Sequence, residues 1–316
     1  MQIIIHHMKK DYYVPTVNAS YQTNRKGSPG ILNFTVIKTD NLRFSEGDPV
    51  RAIVKNKGIF FGFIFTKKRN KNGLIDVTAY DQLRYLKNKD TFIYNNKSAA
   101  ELIKILAKKF NLRTGTIDDT RFKIASIISD NKTLFDVILE SLEDTLLNTG
   151  KMYVMYDDFG KITLKDMSKM KIKELIDKEV VVDFDYTSTI DEKTYNKIQL
   201  VNDDNKKSGR PTVEVHNAAS VGKWGVLQYT DKFKHGENAR IKAETLLNLY
   251  NRKTRRLQVK GAFLDAGVRA GNILPVVLDL GDMKVSNYMI IEKCKHAFKD
   301  GEHLVDLELI GGDFIA

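Results

Sequence analysis

The stretch SEGDPVRAIVKNKGIFFGFIFTKKRNKNGLIDVTAY, residues 45–80, carries three strand-like segments separated by turn residues. Glu46-Gly47-Asp48-Pro49 is a turn, and Val50-Arg51-Ala52-Ile53-Val54 after it largely alternates apolar with polar, as a half-buried strand does. Asn56-Lys57-Gly58 turns the chain again. Ile59-Phe60-Phe61-Gly62-Phe63-Ile64-Phe65 is aromatic and β-branched, which favours a strand, and is far too short to cross a bilayer, which needs about 20 apolar residues. Asn72-Gly73 is the strongest short hairpin signal in the chain, and Leu74-Ile75-Asp76-Val77-Thr78-Ala79-Tyr80 returns as a strand with Asp76 and Thr78 as its polar positions.

The same order recurs near the C-terminus. Gly271-Asn272 opens 273–280, Gly281-Asp282 turns, Asn287-Tyr288-Met289-Ile290-Ile291 returns, and Asp300-Gly301 precedes 303–310. The bounding glycines stand at 47 and 73 in the first copy and at 271 and 301 in the second. This turn chemistry predicts a duplicated β unit. Further strands are expected in 1–44, the clearest being 31–37 after the breaker Gly27-Ser28-Pro29-Gly30. The segment 80–86 reads as a strand end and short turn.

Between the copies the period changes. Ser98-Ala99-Ala100-Glu101 is a capping box, with Leu102, Ile105, Leu106 and Phe110 at helical spacing, so a helix is predicted over 98–110. A second begins near Thr133, carrying Leu134, Val137, Ile138, Leu142 and Leu146 inward, and Asp157-Asp158-Phe159-Gly160 turns a hairpin behind it. Val180-Val181-Val182-Asp183-Phe184 and Ile198-Gln199-Leu200-Val201 resume strand character. The polar run 202–209 reads as a solvated loop, and a third helix is expected from near Gly236, with Ala239, Ala243, Leu246, Leu247 and Tyr250 on one stripe. The chain thus reads as α+β, mainly β. Its expected domains are 1–90, a β domain; 91–170, a small α/β domain; 171–210 with 258–316, the second β domain; and 211–257, a helix-containing insertion.

At 316 residues more than one core is expected. No signal peptide or transmembrane segment is visible, and the single cysteine, Cys294, cannot form an internal disulfide. The net charge of +11 is unevenly placed: residues 1–90 hold 16 Lys and Arg against 7 Asp and Glu, while the rest is nearly balanced. No basic helix or aromatic stacking motif accompanies this excess, so a specific nucleic-acid partner is not expected. An acidic partner, or the channel of an assembly, is expected to face it.

Candidate chemistry is sparse. Asp158-Phe159-Gly160 imitates a kinase metal-binding tripeptide, but no glycine-rich loop or His-Arg-Asp motif accompanies it. His296 and His303 could face each other across a hairpin with Cys294 beside them; they read as half-exposed sheet positions rather than a zinc site, which wants three or four ligands. Glu143-Asp144 point about 100° apart on a helix and read as a solvated face, not a glycosidase pair. Trp224-Gly225 reads as a structural anchor in a breaker-rich segment. No catalytic, cofactor-binding or metal-ligating constellation emerges.

Several local patterns coincide in a recognisable order: Glu46-Gly47-Asp48, Phe61-Gly62, Tyr80-Asp81 with Tyr85-Leu86, and Gly150-Lys151-Met152-Tyr153. Tyr195-Asn196-Lys197, Lys223-Trp224-Gly225-Val226-Leu227-Gln228, and His296 with His303-Leu304-Val305-Asp306-Leu307 follow. Over nearly the whole chain this resembles the XkdQ/YqbQ family, tail proteins of contractile phages, prophages and phage-tail-like bacteriocins related to the late control gene D hub proteins. Family members usually carry a smaller residue where Trp224 stands. The resemblance implies a non-enzymatic baseplate hub, a homotrimer in which two β-barrel-like tube domains per chain form a pseudo-six-fold ring. Its implied partners are the tail tube protein, the central spike protein and other baseplate proteins, in a tail-like particle assembled in the bacterial cytoplasm. Alternatives are a peptidoglycan hydrolase of the tail and a basic nucleic-acid-binding β-barrel. Because apolar edges aggregate unless paired or covered, the two apolar hairpins are the expected subunit contacts, with Phe60, Phe61, Phe63, Tyr288 and Ile290 as candidate residues.

Overall fold

The computed structural model describes residues 1–71, 73–202, 211–233, 238–281 and 284–311. Asn72 of the first hairpin turn, Asp282 of the second, nearly all of the loop 202–209 and the expected helix start at Gly236 lie outside the described residues.

The first β unit comprises β1 (Gln2–His7), β2 (Lys10–Val14), β3 (Thr16–Asn24), β4 (Ile31–Ile37), β5 (Pro49–Val54), β6 (Lys57–Arg69) and β7 (Leu74–Tyr80). Alternation decides which way each strand faces. In β4, Leu32, Phe34 and Val36 are buried; in β7, Ile75, Val77 and Ala79 are. The segment 80–86 is more regular than the sequence reading: Asp81 accepts the Leu83 N–H at 3.0 Å and caps a short 3-10 helix, Gln82–Lys87.

The middle of the chain contains β8 (Lys89–Lys97), α1 (Ala99–Lys109), β9 (Thr114–Ile117), β10 (Ile124–Thr133), α2 (Leu134–Thr149), β11 (Tyr153–Asp157) and β12 (Ile162–Asp166). The capping box at α1 is complete: the Glu101 N–H donates to Ser98 Oγ at 3.2 Å, and the Ser98 N–H to the Glu101 carboxylate at 2.7 Å. Leu102 and Leu106 of α1 and Leu134 and Ile138 of α2 fill one core with Ile127 of β10. Glu143 and Asp144 are exposed on the outer side of α2.

The second β unit is assembled from β13 (Asp183–Thr189), β17 (Thr254–Ala262), β18 (Ile273–Asp279), β19 (Lys284–Lys299) and β20 (Glu302–Gly311). Between its first two strands lie β14 (Lys197–Asn202), β15 (Thr212–His216), α3 (Ala218–Trp224), β16 (Gln228–Phe233) and α4 (Ala239–Tyr250), packed through Ile198, Leu200, Ala243 and Leu246. The expected strand at 180–184 begins only at Asp183. Asp177 accepts the backbone N–H groups of Glu179 and Val180 at 3.0 and 3.1 Å, which holds 177–180 in a turn. The segment 221–225 is helical through Trp224 rather than irregular, with Trp224 half-buried.

One strand order occurs twice. The first unit runs β3-β4-β7-β6-β5 and the second β13-β17-β20-β19, with β18 against β19, and neighbours in both are antiparallel. Buried positions correspond as well: Leu32 and Phe34 in β4 stand where Leu257 and Val259 stand in β17. The chain is α+β and mainly β, as expected, and no closed barrel forms among the described residues. Both units belong to one sheet of 12 strands. The reason is the 16-residue length of β19: β18 pairs its first half, and β3 of the first unit pairs the remainder.

Candidate assembly interface

The duplication reaches individual hydrogen bonds. Gly47 and Gly271 both have φ of +91°, a backbone region open to glycine. The Gly47 N–H donates to the Ile64 carbonyl at 2.7 Å, and the Gly271 N–H to the Ile291 carbonyl at 2.8 Å. In return the N–H groups of Ile64 and Ile291 donate to the carbonyls of Asp48 and Asn272 at 3.0 and 2.9 Å. The Asp48 and Asn272 side chains close the same turn by accepting the N–H of Ser45 at 2.6 Å and of Arg269 at 2.9 Å. Immediately after it each central strand has an irregularity in register, between Ile64 and Thr66 in β6 and between Ile291 and Lys293 in β19. Phe65 therefore corresponds to Glu292.

Where the units join, Lys293 to Lys299 of β19 pair antiparallel with Asn24 to Asn18 of β3. Arg25 adds a backbone bond to the Glu292 carbonyl at 2.8 Å, and its guanidinium meets the Glu292 carboxylate at 2.6 Å. Thr23 Oγ1 accepts the Ala270 N–H at 3.0 Å. The Tyr21 ring stacks on the His296 ring with centroids 6.0 Å apart. The corresponding elements have edges that no described strand pairs. Among the described residues, 66–69 of β6 pair with β7 on one side only, since the pairing of β5 with β6 stops at Phe63, and β13 pairs with β17 alone.

A buried polar joint holds the middle segment against both units. Asp81 accepts from the Gly30 N–H at 2.7 Å, and burial together with the nearby Asp157 carboxyl raises its pKa. Asp157 accepts from the Gly160 N–H at 2.6 Å, and burial pushes its own pKa up to about 6. The Arg269 guanidinium donates to the Asp157 carbonyl at 2.9 Å and lies 3.9 Å from the Tyr156 ring centre. Three elements distant in sequence thus meet at one charged joint.

His296 is fully buried, contrary to the half-exposed sequence reading, while His303 is partly covered. His296 Nε2 lies 2.7 Å from the Val268 carbonyl, which can only accept, so Nε2 carries the proton. His296 Nδ1 then accepts from His303 Nε2 at 2.9 Å. Burial pushes the His296 pKa down to about 4 and lowers that of His303. Cys294 Sγ lies 3.3 Å from His296 Nε2, and burial raises the thiol pKa. Among the described residues no cluster of three or more His, Cys, Asp or Glu is arranged to hold a metal. The inward signal was present in the sequence: Cys294, His296 and Phe298 alternate with Lys293, Lys295 and Ala297.

The five candidate contact residues separate. Phe60 and Ile290 are buried within their own chain, 2% and 3% exposed: Phe60 lies in the core of the first unit, and Ile290 lies on the other face of β19 from the second unit's core, against Val154, Tyr156, Met167 and Met170; this removes both from an outer surface. Phe61 and Phe63 are partly buried against Phe159 and Tyr85. Tyr288 stays exposed, with Lys171 Nζ 5.0 Å from its ring centre. Sequence reasoning missed the exposed ends of β6 and β13, since an unpaired backbone edge leaves no mark in composition.

Against known proteins, the chain is similar to the uncharacterized protein YqbQ of Bacillus subtilis, 28% identical over 272 residues covering 84% of this chain and 82% of YqbQ. It is also similar to the phage-like element PBSX protein XkdQ of the same organism, 25% identical over 301 residues, 93% of this chain and 91% of XkdQ. Among solved structures, its fold matches the 43 kDa tail protein of prophage MuSo2 from Shewanella oneidensis with a TM-score of 0.75 and 12% identity, covering 100% of both chains. The YQBQ-like family model matches residues 19–310, nearly the whole chain, and the protein belongs to that family.

Proposed function

We propose that this chain is the structural baseplate hub of a contractile phage tail or tail-like particle, a homotrimer that joins the six-fold tail tube to the three-fold central spike. The observation that carries this reading is the repeated β unit, with the same strand order and turn in both copies and the two joined edge to edge. Two units in each of three chains present six near-equivalent positions to a six-fold partner, while the unlike segments preserve three-fold symmetry. On this reading 1–90 and the paired segments 171–210 and 258–316 are the tube-like domains. Residues 91–170 and 211–257 are the appended domain and the insertion. Phe61, Phe63 and Tyr288 remain candidate contacts with neighbouring baseplate proteins. The particle is the site of action, and assembly takes place in the host cytoplasm.

The role is mechanical rather than catalytic. The His296–His303 pair is occupied with its own hydrogen bonds, and Glu143 and Asp144 are exposed on α2. The test is the native mass of the purified protein, alone and with its spike protein. The expected species is three times the 36.1 kDa chain mass, with the spike added in a trimer-to-trimer ratio. A monomer in both samples would overturn the reading. Release of muropeptides from cell wall by the pure protein would overturn its non-enzymatic part.

A further inference from the structure

We infer that the ring is sealed between chains by a second version of the internal β19–β3 junction, in which the end of β6 on one copy pairs antiparallel with β13 of the next copy. This rests on the hub reading above and names the surface that would build it.

The register follows from the duplication. Thr66 corresponds to Lys293 and Tyr186 to Tyr21 through their shared partners: β7 and β20 for the first pair, β4 and β17 for the second. Transferring the internal pairs Lys293 with Asn24 through His296 with Tyr21 gives Thr66 with Thr189, Lys67 with Ser188, Lys68 with Thr187, and Arg69 with Tyr186. Among the described residues neither edge has a partner strand in the single chain, and a long unpaired edge is a template for another strand.

The side chains at the transferred positions suit the same contacts. Ser188 stands where Thr23 accepts a backbone N–H, and the N–H it would meet is that of Glu46, the counterpart of Ala270. Ile190 and Phe65 replace the Arg25–Glu292 ion pair with an apolar one. Arg69 takes the place of His296 opposite a tyrosine, exchanging a ring stack for a cation over a ring face. Charge agrees as well. Lys67, Lys68 and Arg69 make the β6 end cationic, whereas β13 carries Asp183 and Asp185 and no cation. On this proposal Asp183 and Asp185 of a neighbouring copy are acidic groups that face the basic first unit. Because the contact joins unlike edges, it is head-to-tail, and closure at three chains removes every such edge.

The test is disulfide trapping in the full chain with Lys68→Cys/Thr187→Cys, both exposed positions, alongside the native mass of the same sample. Directly opposed antiparallel residues lie within disulfide reach, and Cys294 is buried beyond oxidant access. The expected result is a covalent ladder ending at the trimer, with none from the displaced control Lys68→Cys/Ser188→Cys. Asp183→Lys/Asp185→Lys should weaken trimer association about tenfold, and adding Lys68→Asp/Arg69→Asp should restore it. Trimers by mass that no pair in this register traps would overturn the junction and leave the hub reading standing. A chain that stays monomeric would overturn both.

Discussion

Replacing His296 with Gln tests the physical account of the second unit's core. The imidazole is neutral and buried, donating to the Val268 carbonyl and accepting from His303, and its pKa is pushed down from 6.5 to about 4. A proton therefore binds the unfolded chain more tightly than the folded one. The stability contributed by the neutral ring is complete above pH 6.5 and is lost as pH falls from 6.5 through 4. Linkage between these two values gives a loss of about 2 kcal/mol at pH 5 and about 3 kcal/mol at pH 4. His296→Gln keeps one donor and one acceptor but does not titrate. At pH 7.5 it should be less stable than the parent by about 1–3 kcal/mol, through lost ring packing on Tyr21 and Phe298. Lowering the pH to 5 should then narrow the gap by about 2 kcal/mol, or close it. His303 titrates in the same direction but is present in both proteins. The assay is urea unfolding read by hydrogen exchange in peptides covering β19 and β20, which isolates this unit from the rest of the chain. A gap that stays constant between pH 7.5 and 5 would refute the reasoning.

Other expected outcomes are more local. Gly47→Ala should cost about 1–2 kcal/mol from its positive φ alone, since its methyl meets nothing within 4 Å, whereas Gly271→Ala should cost more because its methyl lands 2.8 Å from Val154 Cγ2; thermal unfolding of the two variants checks the order. Ser98→Ala removes the cap of α1 and should lower stability by about 1 kcal/mol, seen as faster amide exchange in its first turn. Asp157→Asn keeps the acceptor for Gly160 and removes a carboxyl that prefers to be protonated below about pH 6, so it should stabilise the protein at pH 7.5 and not below pH 4. Equal stability of variant and parent at pH 7.5 would contradict the burial argument.

The elements governed by local chemistry were legible in the sequence. Ser98 and Thr133 do cap α1 and α2, and Gly150 closes α2 with φ of +71°. The duplicated turn could be read because an Asx residue directly after a positive-φ glycine imposes its own backbone geometry, at Asp48 and at Asn272 alike. Strand extents were less legible. The aromatic run 59–65 extends to Arg69, and the five residues 287–291 lie within the first half of Lys284–Lys299, since pairing with distant partners prolongs a strand past its apolar stretch. The junction of β19 with β3 joins residues more than 260 positions apart, and nothing local marks it. Phe60 and Phe61 show the same limit at the candidate contacts: adjacent aromatics face opposite sides of one strand, and only the register with β5 and β7 decides which is buried.

The most direct test of the central claim is a cryo-electron microscopy reconstruction of the assembled protein viewed down its axis. Three chains are expected in a closed ring of six β units, with strand density running unbroken through three internal junctions and three β6–β13 junctions. A ring in which the two units of one chain face different partners, or in which β6 and β13 end in solvent, would contradict the claim.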